Sequence, residues 1–209
     1  KNFDCCDDIE ICNKVIDRTI QKIMYTNHPT IIAYYWFSRL DFQNENNIVL
    51  IMELAAKGSL LDLLQNFEKK EIPPNYTNTT RQKMIIGISR GMKYLHDHNF
   101  YNCNLKSSNI LLDNEFQPHL ADFFKKDISN VDHISNQFES KESIIYQAPE
   151  ILTNNQYTQK SDVYSFGIVL YEIISDKQAF TEKVPNFELK HKIVNEKYRP
   201  KFDKKINDP

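Results

Sequence analysis

Between Asn102 and Asp113 the chain reads Asn-Cys-Asn-Leu-Lys-Ser-Ser-Asn-Ile-Leu-Leu-Asp. Three carboxamides, a thiol and one ammonium stand ahead of a short apolar run. No acid lies between Asn102 and Leu112, and the next carboxylate after Glu115 is Asp122, eighteen residues beyond Asn104. These groups differ in what they can do. A carboxylate takes up a proton near neutral pH, whereas a neutral carboxamide only exchanges hydrogen bonds. An ammonium offers donors and a positive charge.

Other blocks frame this stretch. Ala121-Asp122-Phe123-Phe124, Tyr146-Gln147-Ala148-Pro149-Glu150 and Lys160-Ser161-Asp162-Val163-Tyr164-Ser165-Phe166-Gly167 follow it; Asn27-His28-Pro29-Thr30-Ile31-Ile32 and Ile51-Met52-Glu53-Leu54-Ala55-Ala56-Lys57-Gly58-Ser59-Leu60 precede it. Taken in this order, the six blocks resemble the eukaryotic protein kinase domain. The first resembles its catalytic loop, usually His-Arg-Asp-Leu-Lys-x-x-Asn. The others resemble the Asp-Phe-Gly segment, the Ala-Pro-Glu that closes the activation segment, the central helix, the turn after the regulatory helix, and the hinge. The wording Leu-Lys-Ser-Ser-Asn-Ile-Leu-Leu-Asp is closest to the tyrosine-kinase-like group.

The resemblance implies roles. Asn104 replaces the aspartate that serves as catalytic base, and Lys106 matches the loop lysine that contacts the transferring phosphate. Asn109 and Asp122 match the metal ligands, oxygen donors of the kind magnesium takes alongside phosphates. Met52 matches the gatekeeper, Glu53 and Ala55 the hinge positions that face adenine, and Leu111 the floor beneath the ring. ATP and magnesium are the implied cofactors. Asp162 is expected to tether the catalytic loop, and Glu150 to meet an arginine beyond this chain.

Several positions depart from the family pattern. Asn102 stands where a histidine packs on the residue matching Phe123, which is expected to weaken that internal spine. Cys103 replaces the arginine that clamps a phosphate on the activation segment, so phosphorylation near Ser143 is not expected to switch the domain on. Phe124 replaces a glycine whose backbone freedom a bulky side chain lacks. Thr19 falls where the regulatory-helix glutamate belongs. No glycine-rich phosphate loop precedes the first helix, Lys1 is a candidate for the phosphate-gripping lysine, and the final helices are missing. Truncation at both ends is therefore expected, with an unpaired edge on the small lobe.

The elements that must position these groups are legible in periodicity. Residues 8–26 read as a helix, with Ile16, Ile20, Ile23 and Met24 on one face. Residues 31–37 and 47–53 read as strands. Gly58 and Ser59 open a short leucine-rich helix, with Ser59 as N-cap. A loop at 72–78 precedes a helix capped by Thr79 or Thr80 and carrying Met84, Ile85, Ile88, Met92 and Leu95. Strands are predicted at 110–112 and 117–120, and 122–150 lacks periodicity. Ser161 or Asp162 begins a strongly apolar helix that should be buried, and a last helix spans about 187–195. The fold class is α+β, a two-lobed kinase-like fold: residues 1–54 form a partial small lobe and 55–209 a large lobe lacking its last helices, meeting near Glu53 to Gly58.

A chain of 209 residues with net charge −2 shows no electrostatic footprint for nucleic acid or anionic membrane. Its apolar runs are too short to span a bilayer. Cys5, Cys6, Cys12 and Cys103 fit no zinc or disulfide framework, which suits reduced thiols in the cytoplasm. The two sequons at Asn75 and Asn78 read as loop residues. Protein partners or a protein substrate are expected. The favoured function is a pseudokinase in signalling that binds ATP and magnesium but transfers phosphate poorly. A weakly active serine/threonine kinase and a scaffold that binds no nucleotide are the alternatives.

Overall fold

The computed structural model describes residues 17, 20–45, 49–100, 104–123, 144–181 and 184–202. Residues 20–24 are helical, and Ile20 and Ile23 point into the core as their spacing predicts. The remainder of the predicted 8–26 helix lies mostly outside the described residues, as do Lys1, Thr19, Asn102, Cys103, Phe124 and Ser143. Strand β1 (Tyr34–Ser38) pairs antiparallel with β2 (Val49–Met52), in register Tyr34 with Met52 and Ser38 with Val49. Both strands fall within about three residues of the predicted bounds, the first starting at Tyr34 where residue 31 was expected. Asp41 shapes the chain between them, accepting the N–H groups of Gln43 and Glu45 at 2.8 and 3.0 Å. Tyr35, Trp36 and Phe42 of this region are exposed.

Helix α1 (Leu60–Glu68) begins where the sequence puts it. Ser59 Oγ accepts from Asp62 N–H at 3.2 Å, and Asp62 accepts from Ser59 N–H at 2.8 Å, a reciprocal capping box. Gly58 is required just ahead of it. Its φ of +71° suits glycine, and a Cβ there would lie 2.7 Å from the Asp62 carboxylate.

Helix α2 (Asn78–Asp97) corrects the predicted cap. Thr77, not Thr79 or Thr80, is the N-cap, and Thr80 closes the box from inside the helix. Three hydroxyl residues stand within one turn, and only Thr77 is placed to reach the N–H three positions on. Met84, Ile88, Met92 and Leu95 are buried on one face, as predicted. Gly87 and Gly91 share that face, where a Cβ would come within 2.6 Å of Pro118 and 2.8 Å of Thr30 Oγ1.

The neighbour that comes so close is a hairpin. A 3-10 turn (Ser107–Asn109) leads into β3 (Ile110–Leu112), which pairs antiparallel with β4 (Pro118–Leu120). Backbone bonds from Leu120 N–H to Thr30 O and from Ile32 N–H to Leu120 O stitch the hairpin to the segment after the first helix. Bonds from Lys57 N–H to Leu112 O and from Leu112 N–H to Gly58 O stitch it to the hinge.

Helix α3 (Pro149–Asn154) starts on a proline and stops at Asn155 in the left-handed region. Helix α4 (Gln159–Ser175) starts earlier than predicted, because Thr158 and Ser161 form the capping box. Asp162 therefore lies within the first turn, fully buried. The prediction of a strongly apolar, buried helix is also corrected. Val163 is 60% exposed, while Ser161, Asp162, Ser165 and Glu172 are buried beside Ile168, Val169 and Ile173. Helix α5 (Asn186–Asn195) buries Leu189 and Ile193. Arg81 of α2 ion-pairs with Asp176, the residue that caps α4. The buried side chains from residue 23 to residue 193 form one continuous core, and the architecture is α+β.

Candidate functional site

The loop before β3 is pinned by Leu105, which is 2% exposed, and by Asn109 N–H donating to Lys106 O at 2.9 Å. The end of β4 is tied back to it, since Ala121 N–H donates to Asn109 O at 2.9 Å. This brings three predicted site residues into direct contact. Asn104 Nδ2 lies 2.5 Å from Asp122 Oδ2 and 3.3 Å from Asp122 O. Asn109 Nδ2 donates to Asn104 O at 2.8 Å. Asp122 itself has φ +54°, a left-handed conformation that aspartate tolerates better than most residues.

Lys106 lies half-buried on the loop between Asn104 and Asn109. Met52, 45% exposed, pairs with Tyr34 at the end of β2. Glu53 N–H donates to Ala33 O at 2.8 Å, and the carbonyl of Ala55 accepts Gly58 N–H at 3.3 Å. Leu111 is half-buried in β3 and bridges to Ser59 just past the hinge. Thus Asn104, Asn109 and Asp122 form one hydrogen-bonded cluster. Met52, Glu53 and Ala55 form a second group, joined to the first through β3 and the two backbone bonds at residues 57–58 and 112.

Some residues at the site were not singled out in the sequence. Asp122 N–H donates to Tyr34 OH at 3.3 Å. Burial pushes that phenol up to about 12. Phe123, 2% exposed, packs edge-on against Phe100 at 5.8 Å and Tyr34 at 6.4 Å between ring centroids. Two aromatic partners therefore hold this ring, and the partner expected at Asn102 lies outside the described residues. Beneath the hinge, buried His119 sits 3.8 Å from Glu53 and 3.6 Å from Asp113, with neither ring nitrogen hydrogen-bonded among the described residues.

Behind the catalytic-type loop lies a buried polar network. Glu172 of α4, fully buried, accepts from Ser107 Oγ, from Tyr146 OH at 2.9 Å and from Ala179 N–H at 3.0 Å. Burial raises the Glu172 carboxyl above its ordinary range despite these three donors, and burial beside Glu172 raises the Tyr146 phenol. One side chain thus ties the loop at Ser107 to the segment before α3. A glutamate among the apolar residues of α4 was the available signal. Asp162, expected to tether the catalytic loop, lies 2.9 Å from His96 near the end of α2.

Among the described residues, no three His, Cys, Asp or Glu side chains are grouped to hold a metal ion. Asn109 and Asp122 offer one carboxamide and one carboxylate. That donor set suits a hard cation sharing its remaining ligands with phosphate and water.

The family model for protein tyrosine and serine/threonine kinases matches residues 9–208. This chain belongs to the protein kinase family. It is 34% identical over 169 residues to the probable serine/threonine-protein kinase PBL22 of Arabidopsis thaliana, covering 78% of this chain and 42% of that protein. It is 37% identical over 182 residues to the receptor-like kinase LIP1 of the same plant, covering 84% and 28%. A probable serine/threonine-protein kinase of Dictyostelium discoideum is 31% identical over 164 residues, covering 78% and 15%. The kinase domain here thus spans less than half the length of each of these relatives. None of its helices, among the described residues, is long and apolar enough to cross a membrane.

Proposed function

We propose that this kinase domain is a pseudokinase-type module that binds ATP with magnesium and transfers phosphate poorly. The reading is carried by Asn104. In the family pattern a carboxylate here orients the attacking hydroxyl and takes its proton. The carboxamide of Asn104 has no such capacity, and its Nδ2 is already engaged by Asp122. Loss of a general base lowers rates by about 10²–10⁴-fold.

Asn109 and Asp122 would hold the cation, which when bound neutralises charge on the phosphate oxygens. Lys106 would add a positive charge on the same loop. Met52, Glu53, Ala55 and Leu111 would enclose the adenine, with residues 1–54 as the small-lobe side and 55–209 as the large-lobe side. A cytoplasmic setting with protein partners accompanies this reading.

A second reading, a weakly active serine/threonine kinase, is favoured by the retention of Lys106, Asn109 and Asp122 and by the printed names of the relatives. Radiometric phosphoryl transfer by the full-length protein separates the two. The first reading expects turnover at least about 10²-fold below the roughly 1–100 s⁻¹ of ordinary kinases; turnover within that range overturns it. Nucleotide binding is checked apart from transfer. ATP with magnesium should raise the melting temperature by mass action, and an unchanged melting temperature at saturating ATP would leave only a non-nucleotide scaffold.

A further inference from the structure

Asn104 does more than lack a base. Its Nδ2 meets two oxygens of Asp122, the carboxylate Oδ2 at 2.5 Å and the carbonyl at 3.3 Å. Both are acceptors, so the amide nitrogen, with its two hydrogens, is the only end of the side chain that fits there. The bond to Oδ2 is charge-assisted. The loop around it is fixed as well: Asn109 Nδ2 holds the Asn104 carbonyl at 2.8 Å, and Tyr34 OH receives the Asp122 N–H at 3.3 Å. Asp122 is thereby fastened at both its backbone and its side chain while it holds a left-handed φ of +54°.

We propose that Asn104 is a positioning residue: its amide hydrogens hold the Asp122 carboxylate in place within the Asn104–Asn109–Asp122 cluster, supplying neutral hydrogen-bond donors where the carboxylate would otherwise need a cation to hold it. This rests on the reading of Asn109 and Asp122 as the cation-holding pair. A carboxylate at position 104 would set two anionic oxygens about as far apart as the present hydrogen bond, and the same oxygen of residue 104 would also face the Asp122 carbonyl. Asn104→Asp, the change that restores the family's motif on paper, therefore loosens the cleft unless a divalent cation enters it. Wild type keeps its cleft without that requirement.

The test is thermal unfolding of the full-length protein in chelator and in excess magnesium chloride, without nucleotide. Wild type, Asn104→Ala, Asn104→Asp and the reciprocal pair Asn104→Asp with Asp122→Asn are compared. In chelator the expected order is wild type, then Asn104→Ala, then Asn104→Asp, with the last about 2–4 °C below wild type. Magnesium alone should recover at least half of that gap in Asn104→Asp and move wild type far less. The reciprocal pair, which again sets one donor against one carboxylate, should also recover at least half of it in chelator. An Asn104→Asp protein that fails to fold counts for the proposal only if the reciprocal pair folds. Asn104→Asp as stable as Asn104→Ala, equal magnesium shifts in wild type and Asn104→Asp, or no recovery in the reciprocal pair overturns it. Phosphoryl transfer is measured separately. Ordinary turnover in wild type would sink the pseudokinase reading and leave this order of melting temperatures untouched, and the converse also holds.

Discussion

Glu172 shows how much one buried side chain can govern. Three donors reach it, yet burial still outweighs them and raises its carboxyl above the ordinary range. A folded-state value above the unfolded one, about 4.3, favours the protonated form in the folded protein. That contribution to stability is complete below the unfolded value and is lost as pH rises through the folded one. Glu172→Gln removes the titration while its amide can still accept from Ala179 N–H and donate to Tyr146 or Ser107. Its melting temperature relative to wild type should therefore climb as pH rises from about 4 toward neutrality. A difference that stays flat, or falls, contradicts the assignment. Glu172→Ala leaves the buried Ala179 N–H unpaired and the Ser107 and Tyr146 hydroxyls with only each other at 3.3 Å, and should cost about 3 kcal/mol by denaturant unfolding. None of this was legible in the sequence beyond an acid in an apolar helix, because Ser107 and Glu172 are 65 residues apart. Of the residues named from the motif, Asn104, Asn109 and Asp122 touch. Tyr34 escaped notice because a strand tyrosine carries no local mark of its distant partner.

Elements were legible where their determinants are local. Ser59 with Asp62 three residues on is a capping box in sequence and in space. The hairpin β3–β4 falls where the apolar run Ile110–Leu112 meets Asp113, whose Oδ1 accepts from Glu115 and Gln117. The start of α2 was misplaced because Thr77, Thr79 and Thr80 are equivalent to any local rule, and geometry alone chooses among them. Thr77→Ala should therefore destabilise by about 1 kcal/mol in urea unfolding, while Thr79→Ala should leave stability unchanged within about 0.5 kcal/mol. Equal effects at the two positions would contradict the cap. The start of α4 was missed for the same reason: Thr158 reaches Ser161, so the helix takes in residues read as its boundary. Its buried polar face follows from what packs there, His96 against Asp162 and the Ser107–Tyr146 pair against Glu172.

For the whole molecule, the family, the α+β class and the order of the blocks could be read from six short motifs, and the family match over residues 9–208 bears out the first. A single core runs from the first helix to α5, so the catalytic-type loop is braced from several sides: by Leu105 beneath it, Glu172 behind it and the Asp122 segment across it. On the proposed reading, Lys106, Asn109 and Asp122 keep their roles in phosphoryl transfer, and the group that would collect the proton is replaced by one that holds the opposite carboxylate. The most direct measurement is the radiometric phosphoryl-transfer rate of the full-length protein with magnesium and ATP. Turnover at least about 10²-fold below the roughly 1–100 s⁻¹ of ordinary kinases is predicted. Turnover inside that range would show that an amide at position 104 suffices, and would contradict the account.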